Sequence, residues 1–130
     1  PAYVIDKINE ALNGFDKSIS GSKILILGLS YKKNVDDLRE SPSLELISIL
    51  KQKGAQINYC DPFFESIPLT RKFVFKIKGK KLTKSLLNDS DVVVLATDHD
   101  SFDYDLIAKE SKIIVDTRGK FRNSKKTIRA

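Results

Sequence analysis

Apolar residues recur at helical spacing near the start of the chain. Val4, Ile5, Ile8, Ala11 and Leu12 predict a helix over residues 3–13, with Gly14 placed to end it. Residues 18–22 read as a turn. The next run, Lys-Ile-Leu-Ile-Leu-Gly-Leu over 23–29, is continuously apolar, which suits a strand buried on both faces. Residues 30–40 are polar and loop-like. Ser41-Pro42 then starts a helix, with Ser as the cap and Pro at the first helical position. Leu44, Leu46, Ile47, Ile49 and Leu50 form its apolar face, and Gly54 is a C-terminal stop. A second strand spans 55–60, and Asp61-Pro62 breaks it.

The stretch 63–81 is the least regular. Within 71–81, Phe73, Phe75 and Ile77 alternate with Lys72, Lys76 and Lys78, the pattern of an exposed edge strand. A short helix follows over 82–88 and a buried strand over 91–96. Another short helix spans 103–110. A last strand over 112–115 delivers Asp116, Thr117 and Arg118 at its end. Strands alternating with helices predict an α/β domain: three layers, Rossmann-like, with a mainly parallel five-stranded sheet. In such sheets ligands bind beyond the carboxyl ends of the strands, where strand order reverses. That rule selects residues 30–39, 61–62, 97–102 and 117–119.

Composition narrows the picture. The chain has 130 residues, the size of one domain. No apolar run approaches the ~20 residues of a membrane span, and the first residues do not read as a secretory signal. The single cysteine, Cys60, excludes an intrachain disulfide and a cysteine metal cluster. A reducing, cytoplasmic setting is expected. The net charge of +6 invites a nucleic-acid reading, but it resides in residues 117–130, which hold six basic side chains and no acid. The other 116 residues carry 17 basic and 17 acidic side chains. The tail reads as a solvated end with little aromatic interleaving, so no nucleic-acid partner is expected.

The loop after the first strand has one glycine, Gly28, where a dinucleotide cradle needs Gly-x-Gly-x-x-Gly. In its place stands the charged run Tyr31-Lys32-Lys33-Asn34-Val35-Asp36-Asp37-Leu38-Arg39. A lysine there offers phosphate a point charge and an arginine offers a planar fork. The competing reading is that these charges pair with one another in solvent. Arg118 can reach the same crevice or belong to the tail. His99, between Asp98 and Asp100, is either a general base or a residue that ties down its loop. The acids at 98, 100, 103 and 105 lack the spacing of a calcium loop, so no metal is expected. Cys60 reads as a small core residue.

The run from Gly28 to Pro42 resembles the signature that opens the C-terminal domain of the UDP-glucose/GDP-mannose dehydrogenase family. The likeness continues through Tyr59-Cys60-Asp61-Pro62, Ala96-Thr97-Asp98-His99 with Phe102-Asp103, and Val115-Asp116-Thr117-Arg118. Ser30 stands where Ala is more usual. The resemblance implies an NAD-dependent oxidoreductase that converts the sugar C6 hydroxymethyl of a UDP-hexose or UDP-N-acetylhexosamine to a carboxylate, in surface-polysaccharide synthesis. It assigns Tyr31, Lys32 and Arg118 to the UDP-sugar and Arg39 to the NAD side of the cleft. NAD itself would sit mainly on an N-terminal domain. The family's catalytic cysteine lies in a glycine-rich motif of the preceding domain, and no such motif occurs here. No catalytic residue is therefore expected in these 130 residues, which alone should turn over nothing. The resemblance further implies that residues 1–20 end a central dimerisation helix and its linker. Residues 21–130 would form the UDP-sugar-binding domain with its basic tail, and the parent enzyme would be a homodimer or higher homo-oligomer. The forms Tyr-Lys-Lys-Asn-Val-Asp-Asp and Thr-Asp-His are similar to members acting on UDP-N-acetylhexosamines, UDP-N-acetylglucosamine above all. The alternative at this point is a stand-alone nucleotide-binding or regulatory module without dehydrogenase activity.

Overall fold

A computed structural model describes residues 1–39, 41–68 and 75–130. Its elements run α1 (Ala2–Asn13), β1 (Lys23–Leu27), α2 (Pro42–Gln52), β2 (Gln56–Cys60), α3 (Lys84–Asp89), β3 (Val92–Leu95), α4 (Tyr104–Glu110), β4 (Ile114–Asp116) and β5 (Thr127–Arg129). The strands form one sheet in the order β2-β1-β3-β4-β5, and every neighbouring pair is parallel.

Alternation along each strand explains the continuous apolar runs. Ile24, Ile26, Tyr59, Val92, Val94 and Val115 join the core that holds α1 and α2. Their neighbours Leu25, Leu27, Cys60, Val93, Leu95 and Ile114 join the opposite core with Leu87 of α3 and Ile107 of α4. The sheet is thus covered on both faces, and its inner strands β1 and β3 need apolar residues at nearly every position. Among the described residues no helix is long and apolar enough to cross a membrane.

Helix α2 starts as expected. Ser41 is extended, and its Oγ accepts from Leu44 N at 3.4 Å. The same hydroxyl donates to Leu29 O, which ties the helix start to the loop after β1. Ser41→Ala removes both contacts at a buried position and should cost ~1–2 kcal/mol. Urea unfolding reads the loss directly, and an unchanged midpoint would show that the cap contributes nothing.

Gly14 ends α1 as expected, with a right-handed φ of −61°. The left-handed residue of the turn that follows is Asp16, at φ 57°, and Lys17 N closes on Leu12 O at 3.0 Å. Two expectations need correction.

The fifth strand is not the one expected over 71–81. Part of that stretch, 71–74, lies outside the described residues. In the remainder the alternation is realised: Phe75 and Ile77 pack toward the core, while Lys76, Lys78 and Lys80 are exposed. Among the described residues it forms a single antiparallel bridge, between Ser66 and Lys78. Lys80 N donates at 2.8 Å to Tyr59 O, on the outer edge of β2. A row of lysines on a sheet edge opposes pairing with another chain.

The fifth strand is β5, inside the stretch expected to be a solvated tail. Its backbone extends the sheet through Ile114 N to Lys126 O at 2.6 Å and Ala130 N to Asp116 O at 3.0 Å. Phe121 enters the core ahead of it. Lys126 Nζ donates to Ala108 O and Lys109 O at 2.9 and 3.0 Å, neutralising carbonyls at the end of α4. The tail is docked because its backbone completes a sheet edge and one of its cations caps a helix.

Candidate functional site

From β1 the chain passes to β2 on one side, and β3 lies on the other. The order therefore reverses beside β1, and the loops after β1 and β3 face each other across that point. Gly28 makes the approach possible. Its φ is +92°, and a Cβ there would stand 2.4 Å from Thr97 Cβ and 2.9 Å from Thr97 N. Thr97 in turn donates from Oγ1 to Ser30 O, across the gap between the loops.

A buried polar cluster holds the loops in place. At the end of β2, Asp61 accepts from Leu29 N on Oδ2 and from Phe63 N on Oδ1, both at 2.8 Å. The ring of His99, after β3, lies 3.2 Å from Asp61 Oδ2 through Nε2, and both side chains are fully buried. Its other nitrogen, Nδ1, accepts from Asn34 N at 2.8 Å. Asn34 is left-handed, at φ 60°. Its amide group pairs twice with Asp100: Nδ2 to Oδ2 at 2.7 Å, and Oδ1 from Asp100 N at 2.9 Å. Lys33 Nζ reaches the same carboxylate at 3.3 Å. The Asn34 and Lys33 contacts keep the exposed Asp100 carboxyl below its ordinary value. Of the two readings of His99, the geometry fits the one in which it ties down a loop.

Across the crevice, Asp116 ends β4 with no exposed surface. Its carboxylate accepts from Arg118 N, Gly119 N and Phe121 N, each at 2.9 Å. That turn aims Arg118 back toward β3. The guanidinium donates from Nε to Ala96 O at 3.0 Å, from Nη1 to Asp98 Oδ1 at 3.5 Å, and from Nη2 to Tyr31 O.

Two clefts flank Tyr31. One, of about 420 Å³, is lined among the described residues by Tyr31, Lys32, Val35, Asp37 and Arg39. The other, of about 220 Å³, is bordered by Tyr31 and Arg118 together with Val4, Pro42, Leu46 and Thr117. Tyr31, Lys32 and Arg39 thus share one cleft. Arg118 borders the adjoining one and meets Tyr31 there. Tyr31 is 55% exposed, so it is not used as core.

The charges of the loop divide. Arg39 pairs with Asp37 through two parallel contacts, Nε to Oδ1 at 3.1 Å and Nη2 to Oδ2 at 2.8 Å. Hydrogen bonds from the Arg39 side chain and backbone pull the Asp37 carboxyl down to about 2. Any anion that takes Arg39 must compete with this carboxylate. Lys33 is turned to Asp100. Lys32 stands near Asp37 and forms no hydrogen bond or ion pair among the described residues. Cys60 is 2% exposed, and burial, with the Asp61 carboxylate beside it, pushes its thiol up to about 12. A thiol so placed stays protonated near neutrality and is not a nucleophile.

Sequence reasoning selected the four loops and the outward residues on them. It did not find Asn34, Asp61 and Asp116 as the residues that shape the crevice. Asn34 carried a weak signal, because asparagine tolerates the left-handed conformation better than other residues with a side chain.

Comparison with known proteins identifies the family and the fold. A family model described as UDP-glucose/GDP-mannose dehydrogenase family, UDP binding domain, matches residues 25–123. An NDP-N-acetyl-D-galactosaminuronic acid dehydrogenase of Ralstonia nicotianae is 32% identical over 121 residues, covering 92% of this chain and 27% of the relative. A UDP-N-acetyl-D-mannosamine dehydrogenase of Methanococcus maripaludis is 35% identical over 126 residues, covering 91% and 27%. The solved structure of a UDP-D-ManNAc dehydrogenase from Pyrococcus horikoshii superposes with a TM-score of 0.75 at 27% identity, covering 99% of this chain and 29% of that one. The chain spans 27% of the length of each of the two curated relatives. With a family model matching residues 25–123, most of its length, the chain belongs to the UDP-glucose/GDP-mannose dehydrogenase family, as its UDP binding domain.

Proposed function

We propose that this chain grips the nucleotide diphosphate of a UDP-sugar, as the C-terminal domain of an NAD-dependent nucleotide-sugar 6-dehydrogenase. The observation that carries this reading is Lys32. It is an exposed cation held at the point where strand order reverses, with the Tyr31 ring beside it and the Arg118 guanidinium behind Tyr31 O. A lysine supplies charge to a diphosphate, an arginine fork adds directed donors, and a tyrosine ring offers a flat face to a base or sugar.

The residues present do not fit NAD by themselves. The loop after β1 has no glycine-rich turn feeding a helix N-terminus; α2 begins only at Pro42, and Gly28 is used to admit Thr97. In this proposal NAD is held mainly by another domain of the parent enzyme, and Arg39 faces it from the rim of the larger cleft. The chain contributes binding and orientation, and the oxidation at C6 belongs to groups outside it. The substrate is proposed to be a UDP-N-acetylhexosamine, a class that includes UDP-N-acetylglucosamine. Support comes from relatives named for N-acetylmannosamine and N-acetylgalactosaminuronic acid. The parent is proposed to be cytoplasmic and to pair through α1, which leaves Tyr3 exposed, with Phe15 exposed just beyond its end.

Calorimetry with UDP tests the proposal. The folded chain should bind UDP weakly, since contacts from other domains are missing. Lys32→Ala should weaken binding by roughly 1–2 kcal/mol, about tenfold, and leave stability unchanged. A folded chain that takes up no UDP at millimolar concentration overturns the reading.

A further inference from the structure

The turn over residues 31–34 is pinned at both ends. Arg118 Nη2 donates to Tyr31 O at one end. At the other, Asn34 N donates to His99 Nδ1 at 2.8 Å. Between these pins stands Lys32. A backbone N–H only donates, so His99 Nδ1 must present its lone pair to Asn34. In a neutral imidazole the proton then sits on Nε2, which points at Asp61 Oδ2.

Other contacts hold the ring and its backbone. The Phe63 and Phe102 rings stand edge-on to it, with centroids at 5.2 and 5.5 Å. Tyr104 OH donates to His99 O at 2.6 Å and holds its backbone. Asp61 is itself anchored by Leu29 N and Phe63 N. The ring thus has one fixed input, the Asp61 carboxylate, and one output, the Asn34 amide, two residues from Lys32. A histidine kept only for core filling has no need of an acceptor aimed at an exposed loop. Burying the imidazole is costly unless both ring nitrogens are paired, and on the Nδ1 side the partner is the N–H of this loop.

We propose that His99, in its Nε2–H tautomer, is a positioning residue for the nucleotide site. It fixes the Asn34 amide, and through it the turn that presents Tyr31 and Lys32 to the diphosphate. The inference rests on the reading of the site given above. Its physical basis is preorganisation: a loop already ordered in the free protein loses less entropy when it closes on a ligand.

Two substitutions separate this role from a purely structural one. In His99→Asn the side-chain Oδ1 stands where Nδ1 stood, so the Asn34 amide keeps its acceptor while Asp61 loses its partner. In His99→Gln the side-chain Nε2 reaches Asp61, and Asn34 is released. The asparagine variant should be the less stable of the two, because it leaves a buried carboxylate short of a donor. It should nevertheless keep UDP affinity within about threefold, while the glutamine variant loses roughly tenfold, the equivalent of one directed contact. Affinity and stability would then run in opposite orders. If affinity follows stability, or if the two variants bind UDP alike, the positioning role is overturned. Wild-type protein that binds no UDP overturns the reading of the site and this inference with it. Should the asparagine variant not fold, nitrogen NMR of the wild-type ring decides. An Nε2–H tautomer with a protected Asn34 amide before UDP is added supports the role, and an Nδ1–H ring or a freely exchanging amide sinks it.

Discussion

Gly28→Ala is expected to destabilise the chain by roughly 3–5 kcal/mol, combining a left-handed backbone penalty with overpacking. The backbone part follows from φ +92°, a conformation that side chains rarely adopt. The packing part follows from Thr97, whose Cβ, Oγ1 and N would lie 2.4, 2.7 and 2.9 Å from the added carbon. Those atoms cannot retreat cheaply. Thr97 N donates to Leu27 O at 3.1 Å, and its hydroxyl holds Ser30 O. Moving either loop therefore breaks contacts that join β1 to β3. Domains of this kind are stable by only about 5–15 kcal/mol, so the variant should lie near its unfolding limit. Chemical denaturation measures the change. A midpoint close to that of the parent would mean that the two loops are not packed as described. If some folded protein survives, its UDP affinity should also fall, because the displaced loop carries Lys32.

The close approach at Gly28 also shows what could be read from the sequence and what could not. The inner strands β1 and β3 were legible because burial on both faces demands apolar side chains at every position, and such runs stand out. The cap of α2 was legible because Ser41-Pro42 is a local signal. Tyr31, Lys32 and Arg39 were legible as a charged loop after a buried strand, and they do line one cleft. The fate of β5 was not legible. Its pairing rests on backbone groups, and a Thr-Ile-Arg segment inside a basic stretch carries almost no periodic signal. The clamp on the loop was hidden for a different reason. Asn34 and His99 meet across 65 positions of sequence, and nothing local in either segment announces the other. The same holds for Asp61, which reads as a turn residue after a strand yet serves as the anchor for His99. Charge pairing was half legible. Arg39 and Asp37 pair within the loop, as the solvated reading expected, whereas Lys33 crosses to Asp100 and Lys32 is left facing the cleft.

Asp116→Ala should be as damaging as the glycine substitution, by a different route. The carboxylate has no exposed surface and satisfies three backbone donors: Arg118 N, Gly119 N and Phe121 N. Truncation leaves all three N–H groups without their acceptor, at about 1–3 kcal/mol for each one that water cannot reach. Partial access of water to the turn brings the expected total to ~3–5 kcal/mol. The turn does more than end β4. It sends Phe121 into the core and brings the Arg118 side chain back to Ala96 O and Tyr31 O. Loss of Asp116 should therefore loosen the docking of β5 and the second pin on the 31–34 turn together. Asp116→Asn tests the assignment atom by atom. With Oδ1 retained, Arg118 N and Gly119 N keep their acceptor, and only Phe121 N faces an amide NH2 in place of an oxygen. That variant should lose about half as much stability as the alanine variant, with UDP affinity largely kept. Equal losses in the two variants, measured by urea unfolding, would show that the charge of Asp116 matters and its directed contacts do not. Should the alanine variant be as stable as the parent, the three contacts would contribute nothing, and the turn would have to be held by Arg118 alone.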